Sequence, residues 1–275
     1  MNRLFVVNKP IFLSSNNYMY KIKREYGTKK VGFSGTLDPF ATGCLIVATG
    51  KFTKLFQYLN KTPKRYRATM WIGATSASLD IENIISIKDS KELDIQNIKE
   101  SLNSLIGTLT YLPPKYSAKK IKGKKAYELA RENIDIALKE ITSKVYDVKL
   151  LNYNHPFVTF EIEVSEGSYI RSIAQILAKR LNIQATLSAL HRINEGNFFY
   201  NNQEPIDPYK NLKIATNRYI GDITDLELGR KLDISNFEIK EDGEYLVEAK
   251  NSYAIIAISK QKVSYKLNSL PKEYN

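Results

Sequence analysis

Cysteine and histidine are nearly absent from this chain of 275 residues: Cys44 stands alone, and His155 and His191 are the only imidazoles. A single cysteine excludes an internal disulfide and suits a reducing compartment. Three such residues, scattered along the chain, fall short of the clustered ligands a zinc site draws from His, Cys and carboxylates. They also leave little for a Ser-His-Asp triad. No Walker-type phosphate loop and no dinucleotide fingerprint is present. The chemistry left open is carboxylate-, lysine- or tyrosine-based and free of cofactor. No stretch nears the ~20 apolar residues that span a bilayer. Met1–Pro10 lacks the long apolar core and small-residue cleavage site of a secretion signal. The chain reads as soluble and cytoplasmic, with a monomer as the default expectation.

Acidic residues are scarce where basic ones are dense. From Met1 to Arg67, 13 lysines and arginines face only Glu25 and Asp38, so this segment carries nearly all of the net charge of +12. A second basic block, Lys115, Lys119, Lys120, Lys122, Lys124 and Lys125, has Tyr116 within it, Tyr127 just beyond, and no acid. Blocked positive charge mixed with aromatics fits a phosphate backbone, although solvated surface lysines also account for it. The hydrophobic fraction of 43% is that of a packed globular protein and argues against disorder.

Local patterns predict a strand at Leu4–Val7 and a helix capped by Ser14 or Ser15, with Tyr18, Met19 and Ile22 inward. Cys44–Ala48 is a continuous apolar run, as in a strand buried on both faces. Tyr66–Ile72 alternates as a strand. Asp94 caps a helix to Ile106, and Lys124–Glu132 is helical. Val145–Tyr153 and Val158–Ser165 form a strand pair around His155-Pro156. Ser168–Leu181 is an amphipathic helix, and Ala185–Ile193 a strand. Asp80–Glu100 reads as an exposed, moderately acidic insertion. After Pro205 and Pro208 come short strands at Glu244–Ala249 and Ala254–Ser259, with turns at Asp242-Gly243 and Asn251-Ser252. The expectation is an α+β fold with a mixed or antiparallel sheet over residues 1–215, then a small β-rich module over 216–275.

Asp38 is the only acid between Glu25 and Asp80, within the string Gly32-Phe33-Ser34-Gly35-Thr36-Leu37-Asp38-Pro39-Phe40-Ala41-Thr42-Gly43. Glycines permit tight turns, and Pro39 biases Asp38 toward extended geometry. A carboxylate fixed between such turns and a buried strand is placed for chemistry; a plain Asp-Pro turn would use the same residues.

This string resembles the catalytic motif of the TruB family of tRNA pseudouridine synthases, and other segments match the family in order. Asn8-Lys9-Pro10 with Ser14-Ser15-Asn16 is similar to its N-terminal motif. Lys64-Arg65-Tyr66 and Gly73 with Ser76/Ser78/Asp80 are similar to its second motif and its TxTxD stretch. Leu112–Ala118 and Gly123–Arg131 resemble its PPxYSAxK and GKxAYExAR segments. Gly167-Ser168-Tyr169-Ile170-Arg171 resembles GTYIR, and Leu190-His191-Arg192 stands where the family has LRR. The resemblance runs from about Phe5 to Gly196. More weakly, Ile223–Leu267 resembles the small PUA-like RNA-binding domain that follows in this family.

The resemblance implies the pseudouridine synthase fold, with a central mixed, largely antiparallel sheet flanked by helices, and isomerisation of uridine 55 in the T-arm loop of tRNA. The target base is flipped out of the loop, and no cofactor is used. Asp38 is implied as nucleophile, with two routes open: attack at C1′ of the ribose or assistance to glycal formation. Arg171 is implied as its ion-pair partner, holding it bidentately. Tyr66 would stack on the flipped uracil and move a proton, and Tyr169 and Leu190 would line the base pocket. Phe33, where many members have histidine, would wedge into the vacated loop. Lys9 and Arg192 would contact substrate. Ala77 and His191 are lesser departures from the family's Asp and Arg.

Overall fold

The computed structural model describes residues 1–117, 119–121, 123–132, 134 and 137–274. Of the expected RNA-binding segments, Ala118 and Lys122 lie outside the described residues. The chain opens with β1 (Leu4–Lys9), α1 (Ser15–Glu25), β2 (Val31–Phe33), β3 (Thr42–Thr49) and β4 (Lys64–Ile72). A hairpin of β5 (Ala74–Ser76) and β6 (Ile84–Ile87) follows, then α2 (Ile95–Asn103) and β7 (Gly107–Tyr111). A short pair, β8 (Lys120–Ile121) and β9 (Lys124–Lys125), leads into α3 (Ala126–Arg131). Then come β10 (Ile141–Asn154), β11 (Phe157–Val164), α4 (Ile170–Arg180), β12 (Ala185–Glu195) and β13 (Phe198–Phe199). The C-terminal part holds β14 (Ala215–Thr216), α5 (Ile223–Leu228), β15 (Gly243–Glu248), β16 (Ser252–Ser259) and β17 (Lys262–Pro271).

The large sheet runs β1-β3-β12-β4-β11-β10-β7, with β2 added on β3 and β13 on β12. Its pairings are antiparallel except for β12 with β3, which meet in parallel at His191–Thr42 and Arg192–Gly43. This is the mixed, largely antiparallel α+β sheet that the sequence predicts. Gly43 is required where the two strands meet. Its φ is +103°, and a Cβ there would collide with the Arg192 carbonyl oxygen.

The apolar run in β3 has a simple physical reason: its two faces enter two different cores. Leu45 and Val47, with Phe5 and Val7 of β1, pack under Met19 and Ile22 of α1, Ile98 and Leu102 of α2, and Ile173 and Leu177 of α4. Cys44, Ile46 and Ala48, with Leu4 and Val6, face the other way onto Leu246, Ile255 and Leu270 of the C-terminal sheet. That sheet, ordered β14-β15-β16-β17, therefore shares a core with the back of the larger one. Each fully buried aliphatic side chain in such a core contributes about 1.5–3 kcal/mol.

Helix ends follow their caps. Ser14 accepts the Asn17 N–H at 3.1 Å, and Asp94 accepts the Asn97 N–H at 3.0 Å, satisfying first-turn donors. Several expectations need correction. Asp80–Glu100 is mostly exposed, as expected, but Asp80 at its start and Ile98 near its end are buried. The third helix starts two residues late because Lys124 and Lys125 pair in β9. The fourth starts at Ile170, which places Arg171 in its first turn. β17, a ten-residue strand whose exposure alternates over Lys262–Lys266, is hidden in the sequence by its many polar residues. No helix of the described residues is long and apolar enough to cross a membrane.

Candidate functional site

Asp38 lies in the loop joining β2 to β3, and its neighbours are tied on both sides. The Ser15 hydroxyl accepts the Leu37 N–H and donates to the Leu37 carbonyl, both at 3.0 Å. The Lys9 ammonium donates to the Pro39 carbonyl at 3.2 Å and to the Pro10 and Leu13 carbonyls at 2.7 Å. Leu37, Phe40 and Ala41 are buried, and the Asp38 carbonyl accepts the Ala41 N–H at 3.0 Å. The backbone is thus fixed while the Asp38 side chain keeps 30% exposure. Lys9 is completely buried, and burial lowers its pKa to about 8. It secures the Asp38 loop from behind, which corrects the expectation that it reaches substrate.

Arg171 is the hub of the site. Its Nη2 donates to Asp38 Oδ1 at 2.7 Å and to the Tyr116 carbonyl at 2.8 Å. Its Nη1 donates to the Ser78 carbonyl at 2.7 Å and to Asp80 Oδ2 at 3.2 Å. The guanidinium does not hold Asp38 bidentately; its fork is divided between two carboxylates. Asp80, 1% exposed, accepts from the Ser78 hydroxyl at 2.5 Å and from the Glu82 N–H at 3.0 Å. Burial raises the Asp38 pKa above the ordinary carboxylate value, Asp80 adds to the rise, and Arg171 opposes it. Asp80 is the site residue that sequence reading places wrongly. The signal for it is the Ser76/Ser78/Asp80 spacing, whose last member faces inward.

Two cavities meet at this point, both bordered by Thr36, Leu37, Asp38 and Arg171. The smaller, ≈ 590 Å³, is also lined by Tyr66, Tyr169, Leu190, Arg192, Lys64 and Lys119. The larger, ≈ 1110 Å³, is lined by Phe33, Phe12, Tyr116, Asp80 and the start of α1. The structure therefore gathers Tyr66, Tyr169 and Leu190 on one side of Asp38 and sets Phe33 on the other. Strand register accounts for the first group. Tyr66 lies opposite Arg192, and Ala68 opposite Leu190, along the β4–β12 pair. Tyr169 is fixed just before α4 by its N–H, which donates to the Tyr111 hydroxyl at 3.0 Å.

Arg192 is 1% exposed, and its bonds point inward. Nε donates to the Cys44 carbonyl at 2.7 Å and Nη2 to the Gly35 carbonyl at 2.9 Å. Glu195, fully buried, pairs with Arg192 at 2.9 Å and with Lys64 at 2.8 Å. The parallel pairing of β12 with β3 turns this side chain under the Gly35 bend. Arg192 thus supports the loop, and it also lines the smaller cavity beside Asp38. His191 hydrogen-bonds Thr42 Oγ1 at 2.9 Å at the same strand meeting.

Residues 23–170 match the TruB family pseudouridylate synthase N-terminal domain. The chain is 60% identical over 272 residues to the tRNA pseudouridine synthase B of a Sulfurovum species, covering 99% of this chain and 98% of that one. It is 50% identical to the protein of the same name from a Nitratiruptor species, over the full length of both. It is 46% identical to that of Campylobacter jejuni, covering 99% of this chain and 100% of that one. Among solved structures, a chain in the crystal structure of a Cbf5-Nop10-Gar1 complex superposes with a TM-score of 0.71 at 18% identity, covering 99% of this chain and 86% of that one. That likeness shows a shared fold. By sequence along its whole length, the chain belongs to the TruB family of pseudouridylate synthases.

Proposed function

We propose that this isomerase converts uridine 55 in the T-arm loop of tRNA to pseudouridine, with Asp38 as the catalytic carboxylate and without a cofactor. The observation that carries the reading is the placement of Asp38. Its carboxylate is held by Arg171 at 2.7 Å beside a cavity with two tyrosines and a leucine in its wall. A pyrimidine flipped out of its stack fits such a space, with Tyr66 and Tyr169 offering aromatic faces and Leu190 an apolar one.

In the reaction the C1′–N1 bond of uridine breaks, the uracil turns, and C5 bonds to C1′. C5 loses its proton and N1 ends protonated, so nothing is consumed. The ionised Asp38 acts on the ribose, by attack at C1′ or by assisting glycal formation, and Arg171 favours that form, opposing the effect of burial. Tyr66 stacks on the base and moves the proton. Phe33, in the other cavity, fills the space the base has left. The basic segment up to Arg67 and Lys119 meet the phosphate backbone, and the C-terminal part with the four-stranded sheet β14-β15-β16-β17 serves as a second RNA-binding domain.

Tritium release from a tRNA transcript carrying 5-tritiated uridine tests this. One equivalent is expected from the wild type, none from Asp38→Asn, and none from a transcript with cytidine at position 55. Equal release by both proteins would remove Asp38 from the mechanism. Release from the cytidine-55 transcript would move the target elsewhere. No release by either protein would favour an RNA chaperone without chemistry.

A further inference from the structure

The tight turn Pro10–Leu13 stands at the rim of the larger cavity. Its two flanking carbonyls, of Pro10 and Leu13, both accept from the Lys9 ammonium at 2.7 Å. Between them the chain is forced to turn, and Phe12 takes a φ of +59°. An L-residue with a bulky side chain disfavours this left-handed region, which glycine occupies without penalty. Packing does not compensate for the strain, because the Phe12 side chain is 66% exposed and its neighbour Ile11 45% exposed. Strained, exposed residues held by their surroundings gather at functional sites, and Phe12 borders the same cavity as Asp38 and Phe33. Asn16, Asn17 and Asn83 also line it, supplying amides for base edges and phosphates.

We infer that Phe12 is a second RNA-stacking residue, which holds an unpaired base of the substrate at the cavity mouth while Phe33 occupies the interior. Stacking suits this position, since a ring fixed on a rigid turn loses little freedom on binding and every base offers a face. The inference rests on the reading of tRNA as substrate.

The test is equilibrium binding of a tRNA transcript lacking pseudouridine, with Asp38→Asn present in every protein to prevent turnover. Phe12→Gly relieves the backbone strain and removes the ring together. It is expected to raise Tm by about 2 °C and to weaken binding roughly tenfold. Phe12→Trp keeps an aromatic face and is expected to retain affinity. Undiminished affinity in Phe12→Gly would overturn the proposal, as would a loss that Phe12→Trp shares in full. If the wild type, with Asp38 intact, releases no tritium from tRNA, the substrate reading fails by itself, whatever the Phe12 variants show.

Discussion

Asp80 and Arg171 form an ion pair, 3.2 Å from Oδ2 to Nη1, with both side chains at most 3% exposed. Because Asp80 also accepts from Ser78 and Glu82, it is a rigid post against which the guanidinium is oriented toward Asp38. Removing one partner of a buried pair leaves the other uncompensated, and Asp80→Ala is expected to lower stability by about 3 kcal/mol, read by urea unfolding. Turnover of a tRNA substrate should fall about tenfold with it, as positioning is lost. Asp80→Asn keeps the shape and removes a charge that raises the Asp38 pKa. The acid limb of its pH–rate profile should therefore move to lower pH. An unmoved acid limb would show that Asp80 has no electrical effect on Asp38.

Asp38 itself is predicted to be costly to the fold. Its pKa is raised in the folded state, chiefly by burial, from a reference of 3.8. In the window between these values the unfolded chain has lost a proton that the folded chain retains, so stability falls as pH rises through it and stays low above. Asp38→Asn escapes this loss. Its Tm relative to wild type should climb from about pH 4 upward and level off, while tritium release is abolished at every pH. A Tm difference that shrinks with rising pH would mean that Arg171 outweighs burial.

Lys9 gives the opposite titration. Its folded pKa is lowered to about 8 from 10.5, so between these values the unfolded chain holds a proton the folded chain lacks, and stability rises with pH there. Lys9→Met lacks this titration, and wild type should gain on it between pH 8 and 10.5 in thermal melts. The variant also loses the ties to Pro39, Pro10 and Leu13, and activity should fall about tenfold as the Asp38 loop loosens. Activity at the wild-type level would show that Ser15 alone fixes the loop.

These cases show what can be read from residue order and what cannot. Asp38 is legible because it is isolated in a basic segment, and Arg171, Tyr66, Tyr169 and Leu190 because their motifs lie in order. The sheet is legible where one face is buried, as in β4, whose alternation Tyr66, Ala68, Met70, Ile72 faces the core. Less visible are long-range partnerships of charge. The burial of Lys9 and Arg192 is not evident from residue order, because cations usually stay at the surface. Only the fold reveals that three carbonyls satisfy one and that Glu195 neutralises the other. Asp80 is misplaced for the same reason, its partner Arg171 being 91 residues away. The strain at Phe12 is a property of φ, which no side-chain pattern encodes.

Tyr66 combines two proposed duties that one substitution separates. The residue is 7% exposed and lines the cavity beside Asp38. Stacking needs only the ring, whereas proton movement needs the hydroxyl. In Tyr66→Phe the ring persists, so KM for tRNA should stay within about twofold of wild type. Single-turnover isomerisation should slow by about 10²-fold, the lower range for a lost acid–base group. Tyr66→Leu removes both and should raise KM as well. Thermal melts of Tyr66→Phe separate a loosened fold from lost chemistry. An unchanged Tm with slow turnover assigns the proton to Tyr66, and an unchanged rate assigns it to another group.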